Sequence, residues 1–113
     1  MDKPGVSIII PVRNRAAEMK RLLESVSIQD YPLEKISVVV VDAVSTDGTQ
    51  AVCRTFPFVK LIELPAERHV SRNRGAAATD AKYLIQLDSD MEMTQGTVSA
   101  LVNIAENKGF DFL

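Results

Sequence analysis

Val38-Val39-Val40-Val41-Asp42-Ala43-Val44-Ser45-Thr46-Asp47-Gly48-Thr49 is the stretch that decides the fold. Four β-branched residues in a row read as a strand buried on both faces, because a strand with one wet face alternates apolar with polar. The run stops on a carboxylate, and small, polar, turn-forming residues follow at once. In open parallel sheets ligands bind beyond the carboxyl ends of the strands, so a buried strand that closes on Asp42 points to a site at that edge.

Working outward, Val6 to Ile10, Ser37 to Val41, Val59 to Leu64 and Tyr83 to Leu87 read as strands. The segments between them are helical in period. Met19, Leu22, Leu23 and Val26 follow i, i+3, i+4, i+7, and Val98, Leu101, Val102 and Ala105 repeat that spacing, with Gly109 placed to stop the last helix. Asn14, Ser45 and Thr94 each stand where they can cap a following helix, and Ala76, Ala77 and Ala78 offer a small, close-packing face. The order is β-α-β-α-β-α-β-α, and Phe110 to Leu113 looks like a fifth strand. The expected fold is a single α/β domain over residues 1–113: a doubly wound, mostly parallel sheet in a three-layer α/β/α arrangement.

Composition narrows the function. With 13 basic and 15 acidic residues the net charge is −2, and no clustered basic face announces nucleic acid. Cys53 is the only cysteine, so no intrachain disulfide is possible. The apolar run before Pro11 spans five residues, too short for a signal peptide or a membrane span. These features lead us to expect a cytoplasmic location, or the cytoplasmic face of a membrane for a longer protein.

Three polar clusters converge on the carboxyl rim of the sheet: Pro11 to Asn14 after strand one, Asp42 after strand two, and Asp88-Ser89-Asp90 after strand four. Two carboxylates two residues apart point to opposite faces of a strand, but a turn just past its end can bring both to one ligand. Such a sparse set of hard oxygens suits Mg²⁺ or Mn²⁺, with phosphate oxygens and waters completing the shell. D-x-D is common by chance, and its place at a strand end is what favours function. Asp42 can accept from a base imide or a ribose hydroxyl, or simply bind local N–H groups; we favour the ligand. For Asp47 we favour a structural role at a helix start. Arg72 and Arg74 are two apart on a helix, so at most one faces a diphosphate. His69, the only histidine, has no partner cluster and reads as an ordinary helix residue.

In that order and spacing, "VSIIIPVRN", "VVVVDAVSTDGT" and "SRNRGAAATDAKYLIQLDSD" resemble the nucleotide-binding half of a family-2 glycosyltransferase with the GT-A fold. The resemblance covers nearly the whole chain. It implies that Pro11, Val12 and Asn14 line a nucleotide pocket and that Asp42 holds the base, commonly uracil. It implies that Asp88, Ser89 and Asp90 form the D-x-D motif, with Asp90 the direct metal ligand and Asp88 nearer ribose and diphosphate, and that Arg72 approaches the diphosphate. The donor would be a nucleoside-diphosphate sugar, UDP-linked by preference. The acceptor would be a saccharide or lipid-linked hydroxyl, and the transfer inverting. Ala43 and Val44 depart from the family's second acid and glycine, and Arg15 from its common acid. Val44 lacks glycine's freedom at positive φ, so an ordinary turn is expected there.

The family's catalytic base and acceptor region follow the D-x-D by many residues, so the base is expected beyond Leu113 and these residues are expected to be the donor-binding portion. A nucleotide-binding module without turnover is the alternative. A dinucleotide oxidoreductase would need G-x-G-x-x-G after strand one, where "PVRNRA" has no glycine. A receiver-like signalling domain would need paired acids there, where Arg13, Asn14 and Arg15 stand. An uncovered last strand would leave an open edge, so self-association, most simply a homodimer, is expected.

Overall fold

The computed structural model describes residues 3–108, apart from the side chains of Arg68, His69 and Lys108. Gly109 and the segment 110–113, expected as a helix stop and a fifth strand, lie outside the described residues. The elements are β1 (Val6–Val12), α1 (Ala16–Ser27), β2 (Ile36–Asp42), α2 (Thr49–Arg54), β3 (Val59–Glu63), α3 (Arg68–Ala77), β4 (Tyr83–Gln86) and α4 (Thr97–Lys108), with a short 3-10 turn at Leu33–Lys35. All four strands are parallel, in the order β3-β2-β1-β4.

The continuous apolar runs follow from burial on both faces. Ile8, Ile10, Val38 and Val40 turn to one face, where they pack with Met19, Leu22 and Leu23 of α1, Cys53 of α2 and Val98 and Val102 of α4. Ile9, Val39 and Val41 turn to the other, against Ala78 at the end of α3. Helices thus cover both faces, in the three-layer arrangement expected. The approach of α3 is close: a Cβ on Gly75 would stand 2.5 Å from Ile9 Cγ2 and 3.3 Å from Val41 Cγ2. The buried residues of α3, among those described, are therefore Ser71 and Gly75, with half-buried Ala78 packed on the sheet just past its end; of the small face expected at Ala76 to Ala78, Ala77 is exposed.

β1 continues through Pro11 to Val12 instead of ending at Ile10. A proline in a central strand normally forfeits a ladder bond. Here the Ile9 carbonyl accepts the Leu87 N–H at 3.0 Å, so Ile9 and, two residues on, Pro11 face the β4 side. Pairing with β4 stops at Ile9 and Gln86, so the missing donor of Pro11 breaks no ladder bond.

The expected caps are corrected. The residue before α1 is Arg15, and the Ala16 N–H is taken by Asp47 Oδ2 at 3.1 Å; the Asn14 side chain instead accepts the Thr46 N–H at 2.8 Å. α2 starts after Gly48, with its first N–H on Asp47 Oδ1 at 3.0 Å, while Ser45 points back to Asp42. At α4 the Thr94 hydroxyl meets that of Thr97 at 2.7 Å, and the Val98 N–H goes to Gln29 Oε1 at 2.9 Å. Partners distant in sequence satisfy the starts of α1 and α4, while α2 is capped locally, by Asp47 rather than by Ser45.

Candidate functional site

The chain steps from β1 to β2 to β3 in one direction, then places β4 on the far side of β1. The direction reverses between β1 and β4, and the crevice beyond such a reversal is where open α/β sheets bind ligands. A pocket of about 250 Å³ opens there. Pro11 and Val12 at the end of β1, Arg13 and Arg15 in the loop to α1, and Ala43 after β2 form one side; Ala66 and Ser71 of the α3 region and Ser89 after β4 form the rest.

The D-x-D segment is a turn, closed by the Met91 N–H on the Asp88 carbonyl at 3.1 Å. Ser89 lines the pocket, Asp90 is exposed, and Asp88 is half-buried with Oδ1 2.6 Å from an Arg72 guanidinium nitrogen. The Nε of Arg72 is buried with no hydrogen-bond partner. Asp88 and Asp90 supply hard oxygens of the type Mg²⁺ or Mn²⁺ takes. Among the described residues no group of three His, Cys, Asp or Glu side chains gathers to complete a shell. The donor set fits an ion that relies on phosphate oxygens of the ligand and on water.

Asp42 does not line the pocket. It is fully buried, and its carboxylate accepts the Ser45 hydroxyl, the Ser45 N–H at 2.8 Å and Gln50 Nε2 at 2.7 Å. Asn14 is exposed and outside the lining; its N–H donates to Ser45 Oγ at 2.8 Å. The loops after β1 and β2 are further joined by the Ala43 N–H on the Val12 carbonyl at 2.9 Å and the Arg15 N–H on Thr49 Oγ1 at 3.0 Å. The ordinary turn expected at Val44 is not found: its φ is 57°, and that of Asn14 is 52°. A β-branched residue in the left-handed region is a steric outlier that surrounding structure must hold in place.

Asp47 takes the structural role expected of it. The Thr49 hydroxyl at 2.5 Å, with the Ala16 and Thr49 N–H groups, holds its carboxyl below the usual carboxylate range. Burial pushes the Cys53 thiol up to about 11, which keeps it protonated and out of any nucleophilic role. The residues that sequence reasoning did not assign to the pocket lining are Arg13, Arg15, Ala43, Ala66 and Ser71, of which the two arginines carry charge. The signal of the arginines was position, immediately past the carboxyl end of a central strand.

The model of the family described as glycosyl transferase family 2 matches residues 7–113. The glycosyltransferase AglE of Haloferax volcanii is 34% identical, covering 97% of this chain and 38% of that protein. The validoxylamine A glucosyltransferase of Streptomyces hygroscopicus subsp. jinggangensis is 36% identical over 76% of this chain and 22% of its own length. Among solved structures, S. aureus TarS 1-349 in complex with UDP superposes with a TM-score of 0.81 at 26% identity, covering 91% of this chain and 32% of that one. The mannosyltransferase PcManGT from Pyrobaculum calidifontis, in complex with GDP-Man and Mn²⁺, gives 0.82 at 28% identity, covering 92% and 33%. The chain therefore spans well under half the length of each of these relatives.

Proposed function

Since the chain belongs to glycosyl transferase family 2 and has the GT-A fold, we propose that its β1–β4 crevice is the donor site of a sugar transfer. The donor is a nucleoside-diphosphate sugar, UDP-linked by preference, and the acceptor a saccharide or lipid-linked hydroxyl, glycosylated with inversion. The observation that carries this reading is the D-S-D turn standing at the topological reversal of the sheet, with Ser89 in the pocket wall. The known structures with UDP and with GDP-Man and Mn²⁺ support it by likeness.

In this reading Asp90 is the direct metal ligand and Asp88 the second, closer to ribose and diphosphate. An ion bound there supplies charge that offsets the leaving diphosphate. Arg72 already reaches Asp88, and its buried Nε lacks a partner. Turning toward a phosphate oxygen would satisfy that donor, which otherwise costs roughly 1–3 kcal/mol. Pro11 and Val12 form an apolar floor, and Ser89 offers a hydroxyl. Asp42 would have to release Gln50 to hold a base; as it stands, it shapes the loop beneath one. β4 pairs on one side only among the described residues, so we also expect a second copy of the chain to associate along that edge. Light scattering over a concentration series tests this, and a monomer at high concentration would refute it.

Calorimetric titration of UDP, with Mn²⁺ and with EDTA, tests the donor site. Binding should be tighter with the metal, and Asp90→Asn should remove that gain without unfolding the chain. Equal affinity under both conditions would remove the metal from the reading.

A further inference from the structure

Among the described residues the pocket wall contains two guanidinium groups, two hydroxyls and no carboxylate, in a chain whose net charge is −2. Arg21, Arg54 and Arg72 are each paired, with Glu92, Glu63 and Asp88. The side chains of Arg13 and Arg15 have no such partner among the described residues, and both residues are exposed. The nearest acids in sequence on the facing loop are committed elsewhere: Asp42 to Ser45 and Gln50, Asp47 to Ala16 and Thr49. The backbone that carries the two arginines is fixed, since Asn14, Arg15 and Ala16 each donate an N–H to a side chain of the β2–α2 segment.

Two like charges held on one short, pinned loop repel each other, and an anion between them relieves that repulsion. Guanidinium is the side chain best matched to phosphoryl oxygens, through its planar fork of donors. Across the pocket stands Ser89, in the turn that carries Asp88 and Asp90. We propose that Arg13 and Arg15 are phosphate-binding residues, which give the pocket an affinity for a nucleoside diphosphate that persists without metal. The assignment rests on the donor-site reading above. It places the phosphates between arginine on one wall and the ion-bearing turn on the other.

The test is titration of the 113-residue chain with UDP, UMP and uridine in EDTA at low ionic strength, where exposed charges act at full range. Affinity should rise from uridine to UMP to UDP. The R13Q/R15Q double variant should weaken UDP by roughly tenfold or more, one charge-assisted contact's worth, leave uridine unaffected and unfold at the same temperature. R13K/R15K should recover part of the loss, since it keeps the charge without the fork. UDP binding that needs Mn²⁺ absolutely, or that R13Q/R15Q leaves unchanged, overturns this assignment alone. Parallel loss of uridine would place the arginines on the base or ribose and overturn it as well. A wild-type chain that binds UDP neither with Mn²⁺ nor in EDTA overturns the donor-site reading and this assignment with it.

Discussion

The Asn14 side-chain carbonyl accepts the Thr46 N–H at 2.8 Å, so the loop leaving β1 holds the loop leaving β2. Between them runs a relay in which the Asn14 N–H donates to Ser45 Oγ and the Ser45 hydroxyl donates to Asp42. Two left-handed residues, Asn14 and Val44, are fixed by these bonds. Asparagine tolerates that conformation and valine does not.

Val44→Gly should therefore stabilise the chain. Left-handed valine costs on the order of 1–3 kcal/mol, and the extra freedom of glycine in the unfolded chain returns about 0.5–1 kcal/mol of that. A net gain of about 1 kcal/mol should appear as a later midpoint in urea. Half-exposed Val44 loses little packing on truncation, so a clear loss of stability would show that its left-handed backbone carries no such strain.

Asp42→Asn should destabilise the chain with or without ligand. The amide nitrogen would face a donor, the Ser45 N–H or Gln50 Nε2, where a carboxylate oxygen now accepts. A buried hydrogen bond lost in this way costs about 1–3 kcal/mol. If thermal unfolding is unchanged and only nucleotide affinity falls, the buried network is not what keeps the acid at this position.

Gly75→Ala tests the contact between α3 and the sheet. Its added methyl would sit 2.5 Å from Ile9 Cγ2, inside a core that cannot yield freely. Overpacking of this kind costs about 1–3 kcal/mol, more than the helix propensity gained from alanine. A more stable Ala variant in denaturant titration would show that α3 can lift from β1 without loss.

Acid stability should depend on Asp47. Its folded-state carboxyl is depressed, first by the Thr49 hydroxyl and also by the Ala16 and Thr49 N–H groups. A depressed acid contributes stability above its unfolded value, about 3.9, and loses it as pH falls through the folded value. Asp47→Asn should thus lower the melting temperature at neutral pH, and the gap to wild type should close as pH falls below the unfolded value. Parallel curves over that range would contradict the assignment.

Sugar transfer by these 113 residues alone should be undetectable, even where UDP binds. Among the described residues the pocket wall contains no carboxylate to take an acceptor proton, and we propose the acids of the D-x-D turn as metal ligands. A radiolabelled-donor assay with mixed saccharide acceptors checks this. Robust transfer would mean that Asp88 or Asp90 serves as base.

By itself, the sequence determined the elements and their layering. Unbroken β-branched runs such as Val38 to Val41 can only be buried on both faces, and helical spacing such as Met19, Leu22, Leu23 and Val26 can only cover them. These are local periodicities, and burial follows them. The tertiary structure alone decided how the rim is built. Asp47 caps a helix from 31 residues away, Gln29 caps another from 69 away, and Val44 is held left-handed by a loop that local preference does not see. It also decided that Asp42 turns inward while Arg13 and Arg15 meet the pocket, because a side chain's direction past a strand end depends on which distant loop claims the backbone beside it.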